Sequence, residues 1–141
     1  MESLLKTRFQ KHAEKYRFAV VGGANTVLDF GLLFVLTGLG LHKIPANYIS
    51  TGAALVFSFF VNKSFTFKAK GGRVRKQFGL FLVVTLFGLW VLQPLIIIGV
   101  DGLFSSTGWS DQVILFVAKI IATVASLIWN YALYSRVVFR K

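Results

Sequence analysis

The sequence predicts an all-α membrane protein: four transmembrane helices arranged as two parallel-repeat hairpins, with both termini in the cytoplasm. Three observations carry this expectation. Four apolar runs fall at approximately 18–41, 44–66, 78–100 and 113–134, and crossing the hydrocarbon core takes about 20 helical residues. Fourteen of the 16 Lys and Arg residues gather in three short blocks that alternate with those runs. The last two runs also repeat features of the first two.

Composition supports the same class. Of 141 residues, 55% are hydrophobic and only 15% charged, whereas soluble domains carry about a quarter charged residues. A net charge of +11 would point to nucleic acid in a soluble domain. No soluble fold hides four apolar runs, so anionic phospholipids replace nucleic acid as the expected acidic partner, attracting each juxtamembrane cation by roughly 1 kcal/mol. The chain has no cysteine, which excludes disulfides and thiolate metal sites. No cofactor is expected.

Residues 1–17 read as a cytoplasmic basic leader and 18–141 as the four-span membrane domain. The first run follows a long charged segment, contains Asp29 and lacks an Ala-x-Ala cleavage site, so it reads as a retained span rather than a signal peptide. Leu5, Phe9, His12 and Tyr16 recur at helical spacing among the leader's charges. That spacing suits a helix lying in the membrane interface; a frayed, solvated terminus is the alternative.

The remaining elements follow in order. A tight Gly38–Lys43 turn with little basic charge links the first two runs, and Pro45 suits the first turn of the second helix. The basic stretch Lys63–Lys76 contains Gly71-Gly72, which has no Walker spacing and reads as a flexible connector. Pro94 lies inside the third run and should kink it, freeing a carbonyl near Trp90. Residues 101–112 contain no Lys or Arg. With the basic blocks all on one side, the positive-inside rule places both termini and the central loop in the cytoplasm.

The repeat is most specific in the even-numbered spans. Ser50, Ala54, Ser58 and Asn62 recur every fourth residue, and Ala118, Ala122, Ser126 and Asn130 do the same 68 positions later. Residues four apart share a helix face, and small side chains let helices approach closely in lipid. Aromatic and basic tails follow each Asn, so the halves read as parallel repeats.

Asp29 and Lys119 are the charges at membrane depth, each costing about 2.5–3.5 kcal/mol at a helix centre. They are expected to pair with one another or to line a watery cavity. The pair would mark a transport pathway or statically hold two helices together. Asn25 lies one turn before Asp29. Asn62 and Asn130 either cap helix ends or contact a phosphate together with Lys63 and Arg136, since the Arg fork suits phosphate oxygens. Trp90, Trp109 and Trp129 read as interfacial or packing residues. Gln93 could line a cavity or satisfy the carbonyl freed by Pro94. No Asp or Glu lies between Asp29 and Asp101, and the two His residues are expected on opposite sides of the membrane. Nothing in this pattern is built to break a bond.

Over approximately Arg17–Phe139 the chain resembles the GtrA family of small bacterial membrane proteins. The resemblance rests on Phe18-Ala-Val-Val-Gly22-Gly23-Ala-Asn25-Thr26-x-x-Asp29, on Ser58-Phe59-x-x-Asn62-Lys63-Ser64-Phe65-Thr66-Phe67, and on Ser126-x-x-Trp129-Asn130-Tyr131 with Val138-Phe139. Val137 departs from the aromatic often found before that final pair. The resemblance implies translocation of a polyprenyl-phosphate-linked monosaccharide across the bacterial cytoplasmic membrane. The destination would be glycosylation of cell-surface polysaccharide or teichoic acid, beside a separate membrane glycosyltransferase.

On that reading Arg17, Lys63 and Arg136 gather the phosphate, and Asn25, Asp29, Ser58 and Ser126 accommodate sugar hydroxyls. Lys119 then takes the phosphate on the far side, while Asp29 holds Lys119 or a hydroxyl. Two alternatives stand beside it: a small-cation or proton-coupled exporter centred on Asp29, and a non-transporting anchor for the glycosyltransferase. Four short spans enclose little volume, which makes a homo-oligomer plausible.

Overall fold

In the computed structural model, which describes residues 1–140, five α-helices and three short π-helical turns form most of the chain, and no strand forms among the described residues. They make four segments long and apolar enough to cross a membrane: Glu2–Gly38, Lys43–Thr66, Val74–Phe104 and Asp111–Val138. The protein is a multi-pass membrane protein. The chain divides into two compact units, Met1–Gly71 and the remainder from Gly72, which is the division into two hairpins that the sequence predicts. Lys141 of the terminal basic block lies outside the described residues.

In the first unit, α1 (Glu2–Gly38) packs against α2 (Lys43–Val61). The leader is helical and continuous with the first span, so α1 runs for 37 residues, roughly 55 Å. Residues 2–13 of it are exposed. The helix stops where Gly40 takes a left-handed conformation (φ 96°). There the Leu41 N–H reaches the Leu36 carbonyl and the Gly40 N–H that of Thr37, the paired bonds that close a helix on a residue without a Cβ. α2 opens with His42, whose Nδ1 accepts from the Ile44 N–H at 3.4 Å, and Pro45 falls in its first turn. It ends in a π-helical turn, Asn62–Thr66.

The second unit contains α3 (Val74–Phe87), a π-helical turn over Gly88–Leu92, and α4 (Gln93–Phe104). It closes with α5 (Asp111–Leu133) and a π-helical turn over Tyr134–Val138. The interruption in the third span is the one anticipated at Pro94. Proline lacks the N–H that would bond the Trp90 carbonyl, and a wider turn immediately before it, closed by the Gln93 N–H on the Gly88 carbonyl, absorbs the misfit. Ser110 caps α5, accepting from the Val113 N–H at 3.4 Å.

Small residues face the neighbouring helix, as their spacing requires. Ala46, Ser50 and Ala54 in α2, and Ala118, Ala122 and Ser126 in α5, are buried, while large apolar residues such as Tyr48, Phe60, Phe116 and Ile128 point outward. A soluble protein would not expose so many. In lipid that surface is solvated, and close backbone packing along the small stripe holds each unit together. Phe59, Phe67, Phe81 and Phe139 fill the bulkiest buried positions.

Candidate functional site

Polar side chains of interest fall into three groups, two of them in the second unit. The first is a cavity of about 290 Å³ lined by Arg73, Lys76, Gln77, Leu80, Val137, Val138 and Arg140. It forms where the start of α3 packs against the π-helical turn that follows α5. Three cations and one amide thus border a concavity whose remaining wall is apolar. Such a lining suits a phosphate attached to a greasy chain.

The second is a ladder inside the membrane-spanning part of the same unit. Lys119 Nζ donates to Gln93 Oε1 at 3.1 Å. Gln93 Nε2 donates to Ser126 Oγ at 2.9 Å, and Ser126 Oγ donates to the Thr123 carbonyl at 3.3 Å. An ammonium can only donate, which fixes the Gln93 oxygen toward Lys119 and its nitrogen toward Ser126. Gln93 and Ser126 are 6% and 5% exposed, whereas Lys119 is more open and borders a shallow groove with Phe116, Ile120, Thr123 and Val124. Its charge is anchored without being neutralised.

The third lies in the first unit. Asn25 Oδ1, Asp29 Oδ1, Asn62 Oδ1 and Thr66 Oγ1 are buried and meet no hydrogen-bond partner. Orphaned polar atoms of this kind cost about 1–3 kcal/mol each. Asn62 is oriented by Ser58, whose Oγ accepts from its Nδ2 at 3.1 Å.

Against this geometry stand the comparisons with known proteins. The family model described as the GtrA/DPMS transmembrane domain matches residues 17–139. The chain belongs to this family. An uncharacterized membrane protein of Bacillus subtilis (strain 168), YngA, is 31% identical over 115 residues, which cover 82% of this chain and 72% of the relative. The family match begins at Arg17 and ends at Phe139, and both residues brace the ends of helices.

In this GtrA/DPMS domain the basic residues divide into two kinds. Arg17 donates through Nε and Nη2 to the Thr66 carbonyl at 3.3 and 3.1 Å, closing the π-helical turn at the end of α2. Lys63 Nζ donates to the Gly71 carbonyl at 2.7 Å. Both cations therefore hold backbone, with Phe18 and Phe67 packed beside the Arg17 contact at 6.3 Å. Arg136 is exposed. Arg73, Lys76 and Arg140, which the sequence reading did not single out, are the ones that share a cavity. Their signal was the bare density of cations at the start of α3 and in the tail.

The remaining candidates are distributed as follows. Lys119 and Ser126 are joined through Gln93, while Asn25, Asp29, Ser58 and Asn62 lie in the first unit. Asn130 leaves Oδ1 buried without a partner, beside Gly88, where an added Cβ would lie 3.3 Å from that oxygen. Trp129 packs and bonds, donating Nε1 to the Val84 carbonyl at 3.1 Å and stacking on Phe87 at 5.0 Å. Trp90 is 73% exposed, as an interfacial residue would be.

Proposed function

We propose that this protein translocates a polyprenyl-phosphate-linked sugar across the bacterial cytoplasmic membrane, for glycosylation of a cell-surface polysaccharide or teichoic acid. The carrying observation is the cavity bordered by Arg73, Lys76 and Arg140. It pairs phosphate-binding cations with an apolar wall, at the end of a membrane-spanning unit. Membership of the GtrA/DPMS family supports the substrate class. The density of cations in the basic blocks supports a cytoplasmic position for this end and for both termini, by the positive-inside rule.

The phosphate-gathering role passes to Arg73, Lys76 and Arg140, helped by exposed Arg136, because Arg17 and Lys63 are engaged with carbonyls. Lys119, steadied by neutral Gln93, keeps its positive charge available and is the second phosphate station. Ser126 offers the sugar a hydroxyl partner, and the prenyl tail stays in lipid along the exposed apolar surface. Anionic phospholipids at the cytoplasmic face compete for the same cations. A separate membrane glycosyltransferase supplies the substrate, and a second copy of the chain enlarges the space for the sugar.

Reconstitution tests this. Purified protein in vesicles containing a labelled prenyl-phosphate sugar should make the label accessible from both leaflets, and Lys119→Met should abolish this. Absence of movement by the wild-type protein, with co-purification of the glycosyltransferase, would replace translocation by anchoring.

A further inference from the structure

α1 is the one span of the four that runs without a π-helical turn, and α2 covers only one side of it. On that side Val21 is buried, with Phe18, Asn25 and Asp29 partly covered. Counted at about 100° per residue, Leu5, Phe9, His12 and Tyr16 of the leader fall on the opposite side. Ala19, Gly23, Thr26 and Phe30 continue the same line through the span. Successive members lie four and three residues apart in strict alternation, and every one of them is exposed. A seven-residue repeat of this kind is the seam along which two helices coil about one another.

Lipid covers only part of this seam. Residues 17–38 span roughly 33 Å, enough for a hydrocarbon core of about 30 Å, and Arg17 is tied to the Thr66 carbonyl at the end of α2. The leader therefore continues the same rod for roughly 22 Å beyond the hydrocarbon. There Phe9 and Tyr16, 75% and 78% exposed, have no acyl chains to meet. An unbroken helix that crosses the bilayer does not also lie flat on its surface.

We infer that this seam is the contact between two copies of the protein, paired in parallel through α1. Copies inserted in one membrane share an orientation, so a two-fold pair sets each seam residue against its equivalent. Ala19 and Gly23, four apart, let the backbones approach closely in lipid. The Thr26 hydroxyl is already given to the Gly22 carbonyl at 3.0 Å and asks nothing of the partner. In a parallel pair, a residue flanking the seam faces the one five positions on in the other copy. Arg8 then faces Ala13 and Lys15 faces Val20, so these cations do not confront one another. His12 is the polar member of the leader's seam, and one such residue fixes register at some cost in stability. The pairing stands whether or not the protein moves lipid.

The chain has no cysteine, so single cysteines in the full-length protein report the contact directly. Membranes carrying each variant are oxidised with copper phenanthroline, and the disulfide-linked dimer is read on non-reducing gels. Phe9→Cys and Tyr16→Cys should cross-link, because a disulfide needs Cβ atoms about 4 Å apart; Gln10→Cys, away from the seam, should not. An added Cβ at Gly23 meets no neighbouring atom within 4 Å in a single chain, and Leu favours helix over Gly. Gly23→Leu should therefore keep its helical circular dichroism yet lose the Tyr16→Cys cross-link and run as a monomer in detergent. His12→Leu should tighten self-association by about tenfold or more, through apolar burial in each copy. Equal yields at positions 10 and 16, both high or both absent, would overturn the inference, as would a dimer indifferent to Gly23→Leu. Failure of the wild type to move lipid would leave it standing.

Discussion

Lys119 and Gln93 meet ammonium to amide oxygen at 3.1 Å, and the same amide's nitrogen is held by Ser126 at 2.9 Å. A charge at membrane depth has thereby found a neutral partner within its own unit. A carboxylate partner would have cancelled the charge; an amide steadies it and leaves it able to attract an anion.

Gln93→Leu should therefore destabilise the protein by about 1–3 kcal/mol, the cost of removing a partner from a polar group away from water. Lys119→Met in the same background should recover much of that loss, because the ammonium that needed the amide is gone. A double-mutant cycle on unfolding free energy reads this directly. Additive losses would mean that the two side chains do not depend on each other.

Arg73→Ala and Lys76→Ala should each weaken binding of a prenyl-phosphate lipid by about tenfold or more, the loss of one charge-assisted hydrogen bond, with little change in unfolding midpoint. Arg17→Ala should do the reverse. Its guanidinium makes both observed bonds to the Thr66 carbonyl, so its loss should cost about 1.5–3 kcal/mol of stability and leave lipid affinity nearly unchanged. Lipid-binding titrations and thermal unfolding on the same variants separate the two roles.

How much was legible from the residues follows from this contrast. Span number, the hairpin division and the buried small stripe were readable, because burial in lipid acts through length and four-residue spacing. The residues proposed here to gather phosphate were not. Arg17, Lys63, Arg73 and Lys76 are alike as charges along a sequence, and only the folded chain shows which of them a backbone carbonyl has already claimed. Gln93 was expected to line a cavity or satisfy a freed carbonyl; instead it bridges Lys119 and Ser126, a partnership that depends on how α4 packs against α5.

The register of the repeat was legible only in part, for a geometric reason. α2 and α5 begin 68 positions apart, but their closing π-helical turns begin 72 apart, at Asn62 and Tyr134. α5 has 23 residues before that turn against 19 in α2, one helical turn more. A stripe repeating every fourth residue matches itself at either offset, so spacing alone does not distinguish them.

Gly88 tests the packing at the interrupted third span. An added Cβ would lie 3.3 Å from Asn130 Oδ1, 3.4 Å from Trp129 Cδ1 and 3.6 Å from Ser126 Cβ. Gly88→Ala asks those neighbours to yield by a few tenths of an ångström, whereas Gly88→Leu overfills the site, at a cost of about 1–3 kcal/mol or more. The larger substitution should also disturb the Gln93–Ser126 bond through Ser126. A lowered unfolding midpoint for Leu, with Ala close to wild type, is the expected order.

The two units end alike, and that equivalence yields the last prediction. The Phe67 N–H bonds the Asn62 carbonyl at 2.9 Å, and the Phe139 N–H bonds that of Tyr134 at 2.8 Å, each five residues back. Phe67 and Phe139 are 2% and 1% exposed. Phe67 packs against Phe18 at 6.3 Å and Phe139 against Tyr134 at 6.1 Å. Each ring thus plugs the end of its unit and holds a wide turn in place. Phe67→Ala and Phe139→Ala should each destabilise by about 3–5 kcal/mol, as large buried aromatics do, and Leu at either position should restore a good part of it. The Tyr134 hydroxyl supplies a further check, because Thr85 already gives its only proton to the Phe81 carbonyl at 2.7 Å and must accept from Tyr134. Tyr134→Phe should accordingly cost only about 0.5–1.5 kcal/mol, well below the Phe139→Ala loss; unfolding measurements that reversed this order would show the terminal ring to be dispensable.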